Sequence, residues 1–87
     1  MEIRMEIPQF LAEKGIEYKW ERDFAIKTKI EDGIITITAN REGLISLANH
    51  LLNLAQDSIP SGFHLHFDEY NSLDDNSAEL IIEKKTG

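Results

Sequence analysis

The hydrophobic pattern is strongest in the middle of the chain, where apolar residues recur at spacings of three and four over residues 40–57 (NREGLISLANHLLNLAQD). This spacing places them on one side of an α-helix. The apolar side comprises Leu44, Leu47, Ala48, Leu51, Leu54 and Ala55, and the polar side comprises Ser46, Asn49, His50, Asn53 and Asp57. Asn40 is suited to cap the first turn. We predict a helix over about residues 41–56, with its leucine side buried against a sheet.

Strict alternation before this helix predicts a β-hairpin. Apolar residues alternate with lysines on its first strand and with threonines on its second. Asp32-Gly33 lies between the strands, and this dipeptide is preferred in two-residue turns because both positions need positive φ. The predicted register pairs Ile30 with Ile35, Thr28 with Ile37 and Ile26 with Ala39. A shift by one residue would place isoleucines opposite lysines.

The last third of the chain predicts two strands joined by an acidic loop. Residues 63–67 (FHLHF) alternate, which turns the two phenylalanines and the leucine to the core and His64 and His66 outward. Residues 68–77 (DEYNSLDDNS) form the loop, with Leu73 as its apolar tether. The closing strand covers residues 78–84, because Ala78, Leu80 and Ile82 share one side and should face the core.

The first quarter of the chain has weaker patterns. Residues 2–7 alternate as a short strand, residues 8–14 suggest a helical turn and residues 16–20 alternate again. Together these elements predict one domain, 1–87, with an α+β, two-layer fold. Its mixed, mostly antiparallel sheet would contain four to six strands, with the one main helix packed on one face.

Composition and charge narrow the functional classes. The chain has no cysteine, which excludes disulfides, thiolate metal sites and cysteine nucleophiles. It has no run of about 20 apolar residues and no basic, signal-like start, so we expect a cytoplasmic protein without a membrane span. Sixteen acidic and nine basic residues give a net charge of −7. This charge disfavours nucleic acid as a partner and permits a basic protein.

Two groups of residues are candidates for chemistry. His64, His66 and Asp68 share one face of a strand and could hold a divalent metal in a metal-dependent enzyme, but alternating histidines also suit a solvent-facing strand. The acids of the loop lack the calcium-loop pattern and the apolar pocket of a catalytic carboxylate. No nucleophile elbow or phosphate-binding glycine loop is present. The sequence therefore predicts no enzyme, no metal and no cofactor.

Three stretches carry a family resemblance: residues 39–55 (ANREGLISLANHLLNLA), residues 60–73 (PSGFHLHFDEYNSL) and residues 77–84 (SAELIIEK). Glu42-Gly43-Leu44 opens the leucine-rich helix, the His-x-His strand is followed by acids, and Glu79 to Ile82 forms the closing strand. In these features the chain resembles the immunity protein 32 family of bacterial polymorphic toxin systems. The resemblance covers the C-terminal half.

The resemblance implies a small inhibitor that binds and neutralises a cognate toxin without catalysis. The negative charge would suit a basic toxin such as a nuclease. The predicted toxin-binding residues are Asp68, Glu69, Tyr70, Asp74 and Asp75, with His64 and His66 as secondary contacts. A regulatory or assembly module that dimerises through its sheet is the alternative, and the oligomeric state, monomer or homodimer, stays open.

Overall fold

The computed structural model describes residues 1–86 and contains one helix and four strands. In chain order these are β1 (Ile26–Glu31), β2 (Ile34–Ala39), α1 (Arg41–Leu54), β3 (His64–Phe67) and β4 (Leu80–Glu83). The α+β class is confirmed. The strands form two separate antiparallel sheets, β1–β2 and β3–β4, so the predicted single mixed sheet packed under the helix is not confirmed.

The β1–β2 hairpin has the predicted register. Ile26 pairs with Ala39, Thr28 with Ile37, and Ile30 with Ile35. Asp32 and Gly33 form the turn with φ of 52° and 76°. These are the positive values that a two-residue turn requires and that β-branched residues disfavour. The register was predictable because Asp32-Gly33 fixes the position of the turn, and a shift by one residue would place lysines on the apolar face.

A loop segment links the two sheets where the prediction placed one continuous sheet. Residues 74–78 run along the free edge of β1, where the Asp74 N–H donates to the Ile26 carbonyl at 2.8 Å. The Ala78 N–H donates to the Thr28 carbonyl at 3.2 Å, and the Thr28 N–H donates to Ser77 Oγ at the same distance. Two backbone bonds and one bond to a side chain therefore replace part of the ladder that regular pairing would have supplied.

Helix α1 begins as predicted and ends two residues before the predicted bound. The Asn40 side chain accepts from the Gly43 N–H at 2.7 Å and caps the first turn. Gly43 lies where the helix closely approaches the hairpin, since a Cβ there would be 2.5 Å from the Ala25 carbonyl oxygen and 2.9 Å from Ile26 Cγ1. A side chain at this position would prevent the contact.

The predicted orientation of the helix is wrong. Its polar side is the buried one, and much of its leucine side is exposed. The buried polar residues are Ser46, Asn49, His50 and Asn53, and the exposed leucines are Leu44, Leu51 and Leu52. The physical reason is the segment that covers the helix. An irregular part of the N-terminal quarter packs on it, and the backbone N–H groups of this segment need acceptors that leucines lack.

The N-terminal quarter has no strand or helix before Ile26 in the described chain. The predicted helical turn is a tight turn in which the Gly15 N–H donates to the Leu11 carbonyl at 2.8 Å. The predicted strands over residues 2–7 and 16–20 are corrected to backbone without regular secondary structure. Alternation alone could not show that these segments pack on a helix instead of pairing with another strand.

The core lies between α1, β1 and the β3–β4 sheet. Its fully buried apolar residues are Ile26, Leu54, Ile59, Leu65, Phe67 and Leu73. Phe10, Ile16, Trp20 and Phe24 from the N-terminal quarter pack against this cluster. The irregular first quarter therefore contributes to the core without contributing to either sheet.

Candidate binding surface

Strand β3 turns its histidines outward, as the alternation predicted. Leu65 and Phe67 are buried, whereas His64 and His66 are exposed. His64 lies opposite Glu83 in the β3–β4 register, and His66 lies opposite Ile81. Both imidazoles are therefore available at the surface beside the acidic loop.

His66 lies close to two carboxylates at the surface. His66 Nε2 lies 3.4 Å from Glu79 Oε2 and 3.7 Å from Asp68 Oδ2. In residues 1–86 the structure contains no group of three or more His, Cys, Asp or Glu side chains arranged to hold a metal ion. The geometry favours pairing of the His66 imidazole with the carboxylates of Asp68, directly after β3, and Glu79, directly before β4.

The acidic loop, residues 68–77, is folded on itself by its own polar groups. Asp68 Oδ1 accepts from the N–H groups of Tyr70 at 2.9 Å and Asn71 at 3.0 Å, and the Asp68 carbonyl accepts from the Leu73 N–H at 2.8 Å. The Asn71 side chain donates to the His66 carbonyl at 2.9 Å. An aspartate that binds the backbone two residues ahead is the usual device of a tight turn. Asp68 therefore shapes this loop.

The second half of the loop is fixed at two further points. Glu69 Oε2 accepts from the N–H of Asn76 at 2.7 Å, and Asn76 has a positive φ of 68°. Leu73 is buried in the core, which confirms it as the apolar tether. A loop held from both ends and the middle presents its remaining side chains in a defined arrangement.

Three of the predicted contact residues on the loop are left free for a partner by this arrangement. The side chain of Tyr70 is 94% exposed, which is unusual for an aromatic residue on an ordered loop. Asp74 and Asp75 are exposed as well. The structure thus separates the predicted acids into two kinds: Asp68 and Glu69, whose carboxylates bind the loop backbone, and Asp74 and Asp75, whose carboxylates face solvent.

His50 is a residue whose importance the sequence pattern missed. It is fully buried on the helix, where its Nδ1 hydrogen-bonds the Ser46 carbonyl. A carbonyl only accepts, so Nδ1 carries the proton and Nε2 is left as an acceptor, for which the described residues provide no donor. The ring stacks on Tyr18 with centroids 4.5 Å apart and lies 4.2 Å from the Trp20 ring.

Burial shifts the pKa values of His50 and Tyr18 in this aromatic contact. Desolvation lowers the pKa of His50, and the hydrogen bond to the Ser46 carbonyl opposes that shift only in part. Burial likewise raises the pKa of Tyr18. The signal that could have found this contact was the Tyr18-x-Trp20 spacing, which puts two aromatic rings on one side of an extended segment.

A sequence model of the family described as Immunity protein 32 matches residues 34–85. The match spans β2, α1, β3, the acidic loop and β4, which is more than half of the chain. The chain belongs to the Immunity protein 32 family. All seven predicted toxin-binding residues lie inside the matched range. No curated protein and no solved structure matches the chain.

Membership of this family favours a binding protein over an enzyme. No helix in the described part of the chain combines the length and apolar character needed to cross a membrane. The family description names an immunity protein, so a toxin is the class of partner that it suggests. The family match does not identify the residues that would contact such a partner, and they are proposed from the geometry of the surface.

Proposed function

We propose that this member of the Immunity protein 32 family neutralises a cognate bacterial toxin by binding it through the acidic loop, without catalysis. The observation that supports this surface most strongly is Tyr70, a nearly fully exposed aromatic side chain held on an internally hydrogen-bonded loop. Exposed tyrosines cost little conformational entropy on binding and are enriched among the residues that dominate interface energies.

Charge supports the same surface. The net charge of −7 gives the whole protein a field that attracts basic proteins, and the exposed Asp74 and Asp75 place negative charge on the same loop as Tyr70. Complementary charge raises association rates and helps to select the partner. The partner is therefore proposed to be a basic toxin domain, met in the cytoplasm of the cell that is protected.

The predicted contact residues have different roles in the proposed complex. Tyr70 is the anchor, and Asp74 and Asp75 supply the free negative charge. Asp68 and Glu69 keep the loop in shape through their bonds to its backbone. His64 and His66 lie at the border of the surface and make secondary contacts.

The decisive experiment is protection of a sensitive host. A candidate toxin domain, taken from a reading frame next to the gene for this protein, is expressed from an inducible promoter, with and without the protein. Wild type is expected to restore growth, and the double substitution Asp74→Lys/Asp75→Lys is expected to abolish protection. The matched control is Glu13→Lys/Asp57→Lys, which changes the net charge equally at exposed acids outside the loop.

Binding measurements distinguish the contribution of the loop to affinity from the contribution of the overall negative charge. Tyr70→Ala is expected to weaken the complex by about 2 kcal/mol or more, mainly through faster dissociation. The control substitution is expected to slow association only slightly, because distant exposed charges are screened by salt. Full protection by the Asp74→Lys/Asp75→Lys protein, or unchanged affinity for Tyr70→Ala, would remove the acidic loop as the binding surface.

A further inference from the structure

Strand β2 has one open edge. The hairpin strand β1 is paired on both sides, by β2 on one edge and by residues 74–78 on the other. In residues 1–86 nothing pairs with the outer edge of β2, and its residues are exposed except for the half-buried Ala39. An open edge of six residues presents a row of backbone donors and acceptors to solvent.

The register determines which backbone groups point outward. Glu31 and Ile34 close the two-residue turn as a hydrogen-bonded pair, so alternate residues of β2 bond to β1. The N–H and carbonyl groups of Ile35 and Ile37 therefore point to the open edge. Thr36, which lies between them, bonds inward to β1.

The edge lacks the usual protection against pairing. Strand β2 reads Ile-Ile-Thr-Ile-Thr-Ala and contains no charged residue and no proline. Natural proteins commonly protect such an edge with lysine, proline, a bulge or a covering segment. An unprotected edge of this kind is suited to a partner strand.

We propose that two copies of this chain associate by antiparallel pairing of β2 with β2 around a two-fold axis at Thr36. In that register Ile35 pairs with Ile37 of the second copy, Ile37 pairs with Ile35, and the two Thr36 residues face each other. Four backbone hydrogen bonds form from the outward groups of Ile35 and Ile37. The Thr36 pair occupies a non-hydrogen-bonded site, where threonine pairs are favourable.

The distribution of charge favours a second copy of this chain over a basic protein as the partner at this edge. Two chains of net charge −7 repel each other, so they associate most readily through a strand that carries no charge. The same absence of charge gives a basic toxin nothing to recognise there. A symmetric contact also requires a self-complementary surface, and the Ile-Thr-Ile sequence centred on Thr36 provides it.

Apolar surface beside the edge adds to the contact. Helix α1 lies on the same side of the hairpin as Ile35 and Ile37, because Gly43 approaches Ile26 and Ala39 of that face. On this face of the hairpin, Ile30, Ile35 and Ile37 are 42% to 67% exposed. Exposed patches of a few hundred Å² are typical of interaction sites, and a standard interface takes about 800 Å² from each partner.

The proposed dimer leaves the acidic loop free. Residues 74–78 lie at the edge of β1 that is opposite to β2. Pairing through β2 therefore places the two acidic loops at the far ends of a continuous four-stranded sheet. The dimer could bind two toxin molecules, and its formation does not depend on the proposed toxin-binding function.

The absence of cysteine allows a sharp test by crosslinking. In the proposed register the Thr36 Cα atoms are about 4.5 Å apart, which is within the range that a disulfide can bridge. Thr36→Cys is therefore expected to give a covalent dimer under mild oxidation. Thr38→Cys is the matched control, because its two copies would be about 13 Å apart in the same register.

Sedimentation of the full chain supplies the second measurement. Wild type is expected to sediment as a dimer at about 100 µM. Thr36→Glu and Thr36→Lys, each alone, are expected to associate about fivefold more weakly, because like charges then face each other. An equimolar mixture of the two variants is expected to recover dimers, and Thr86→Glu, the same change outside β2, is expected to leave association unchanged.

Each contrary result overturns the proposal. A wild-type monomer at that concentration shows that the edge does not pair. A dimer that resists both Thr36 substitutions uses another surface, and equal crosslinking of Thr36→Cys and Thr38→Cys contradicts the register. Because Thr36 and Thr38 are exposed, their substitution leaves the hairpin folded, which circular dichroism of each variant checks.

Discussion

In helix α1 the polar side is buried and much of the leucine side is exposed, which is the reverse of a simple amphipathic helix. On one side Ser46, Asn49 and Asn53 are buried, and on the other Leu44 and Leu52 are half-exposed. The difference shows that the polarity of a helix side does not by itself decide what is buried. The hydrogen-bonding needs of the neighbouring segment decide it as well.

The buried polar side serves as a row of acceptors for irregular backbone. Asn49 Oδ1 accepts from the Lys19 N–H at 3.0 Å, and Ser46 Oγ accepts from the Glu21 N–H at 2.8 Å. Near the end of the helix, Gln56 Oε1 accepts from the Phe10 N–H at 2.8 Å. A segment that pairs with no strand has these three N–H groups satisfied in this way, and its aromatic side chains can then reach the core.

The largest effect is expected where the buried side meets the hairpin. Gly43→Ala would gain about 1 kcal/mol of helix propensity. Its Cβ would lie 2.5 Å from the Ala25 carbonyl oxygen, and backbone cannot yield as a flexible side chain does. Overpacking of this kind costs about 3 kcal/mol, so the net loss of unfolding free energy is about 2 kcal/mol.

Urea denaturation measures the Gly43→Ala effect. The control is Ala48→Gly on the same helix, which is expected to lose only the propensity difference of about 1 kcal/mol. A Gly43→Ala protein as stable as wild type would show that the helix does not approach the hairpin this closely.

The next effect tests the polar row directly. Asn49→Ala leaves the Lys19 N–H without its acceptor, and the Asn53 side chain loses one partner. An unsatisfied group of this kind costs about 1.5 kcal/mol. Urea denaturation should show this loss, and hydrogen exchange should show faster exchange at Lys19. Arg41→Ala, an exposed residue of the same helix, is expected to cost less than 0.5 kcal/mol.

Stability of Asn49→Ala equal to that of Arg41→Ala would contradict the role of the polar row. In that case the N-terminal segment would not be held to the helix by these bonds. Unchanged exchange at the Lys19 N–H would lead to the same conclusion.

The elements with a short, strict period were predictable from the sequence. The hairpin register followed from alternation and from Asp32-Gly33, and the helix start followed from Asn40. The placement of residues 1–25 and the side of the helix that they cover were not predictable. These depend on long-range contacts between irregular backbone and side-chain acceptors, which leave no period in the sequence.

The candidate surface was predictable to a similar degree. The outward histidines and the buried Leu73 followed from alternation and from the apolar residue in a polar loop. The division between Asp68 and Glu69, which bind backbone, and the free Asp74 and Asp75 was not predictable. It depends on turn geometry that composition does not encode.

The third effect appears only in acid and concerns His50. Burial lowers its pKa, so the folded protein keeps the ring neutral while the unfolded chain binds a proton below pH about 6.5. The stability that the neutral ring contributes is complete above that pH and is lost as the pH falls towards the lowered folded-state pKa. The groups facing the ring, Tyr18, Trp20 and Phe67, carry no compensating charge.

Denaturation between pH 5 and about 8 measures this linkage. His50→Phe keeps an aromatic ring beside Tyr18 and Trp20 and removes the titration, so its stability is expected to fall less than that of wild type in acid. His66→Phe at the exposed position controls for the other imidazoles. Parallel pH profiles for wild type and His50→Phe would show that His50 is not held neutral by burial.

The smallest effect is expected on the leucine side. Leu52 is half-exposed, and glutamine keeps most of its aliphatic length and has similar helix propensity. Leu52→Gln should therefore lower the free energy of unfolding by less than about 1 kcal/mol, whereas loss of a fully buried leucine side chain costs about 2 to 5 kcal/mol. Leu54→Ala, at a buried position of the same helix, provides that comparison in one set of urea titrations. If Leu52→Gln costs as much as Leu54→Ala, the leucine side is covered in the folded protein, and the contrast between the two sides of the helix disappears.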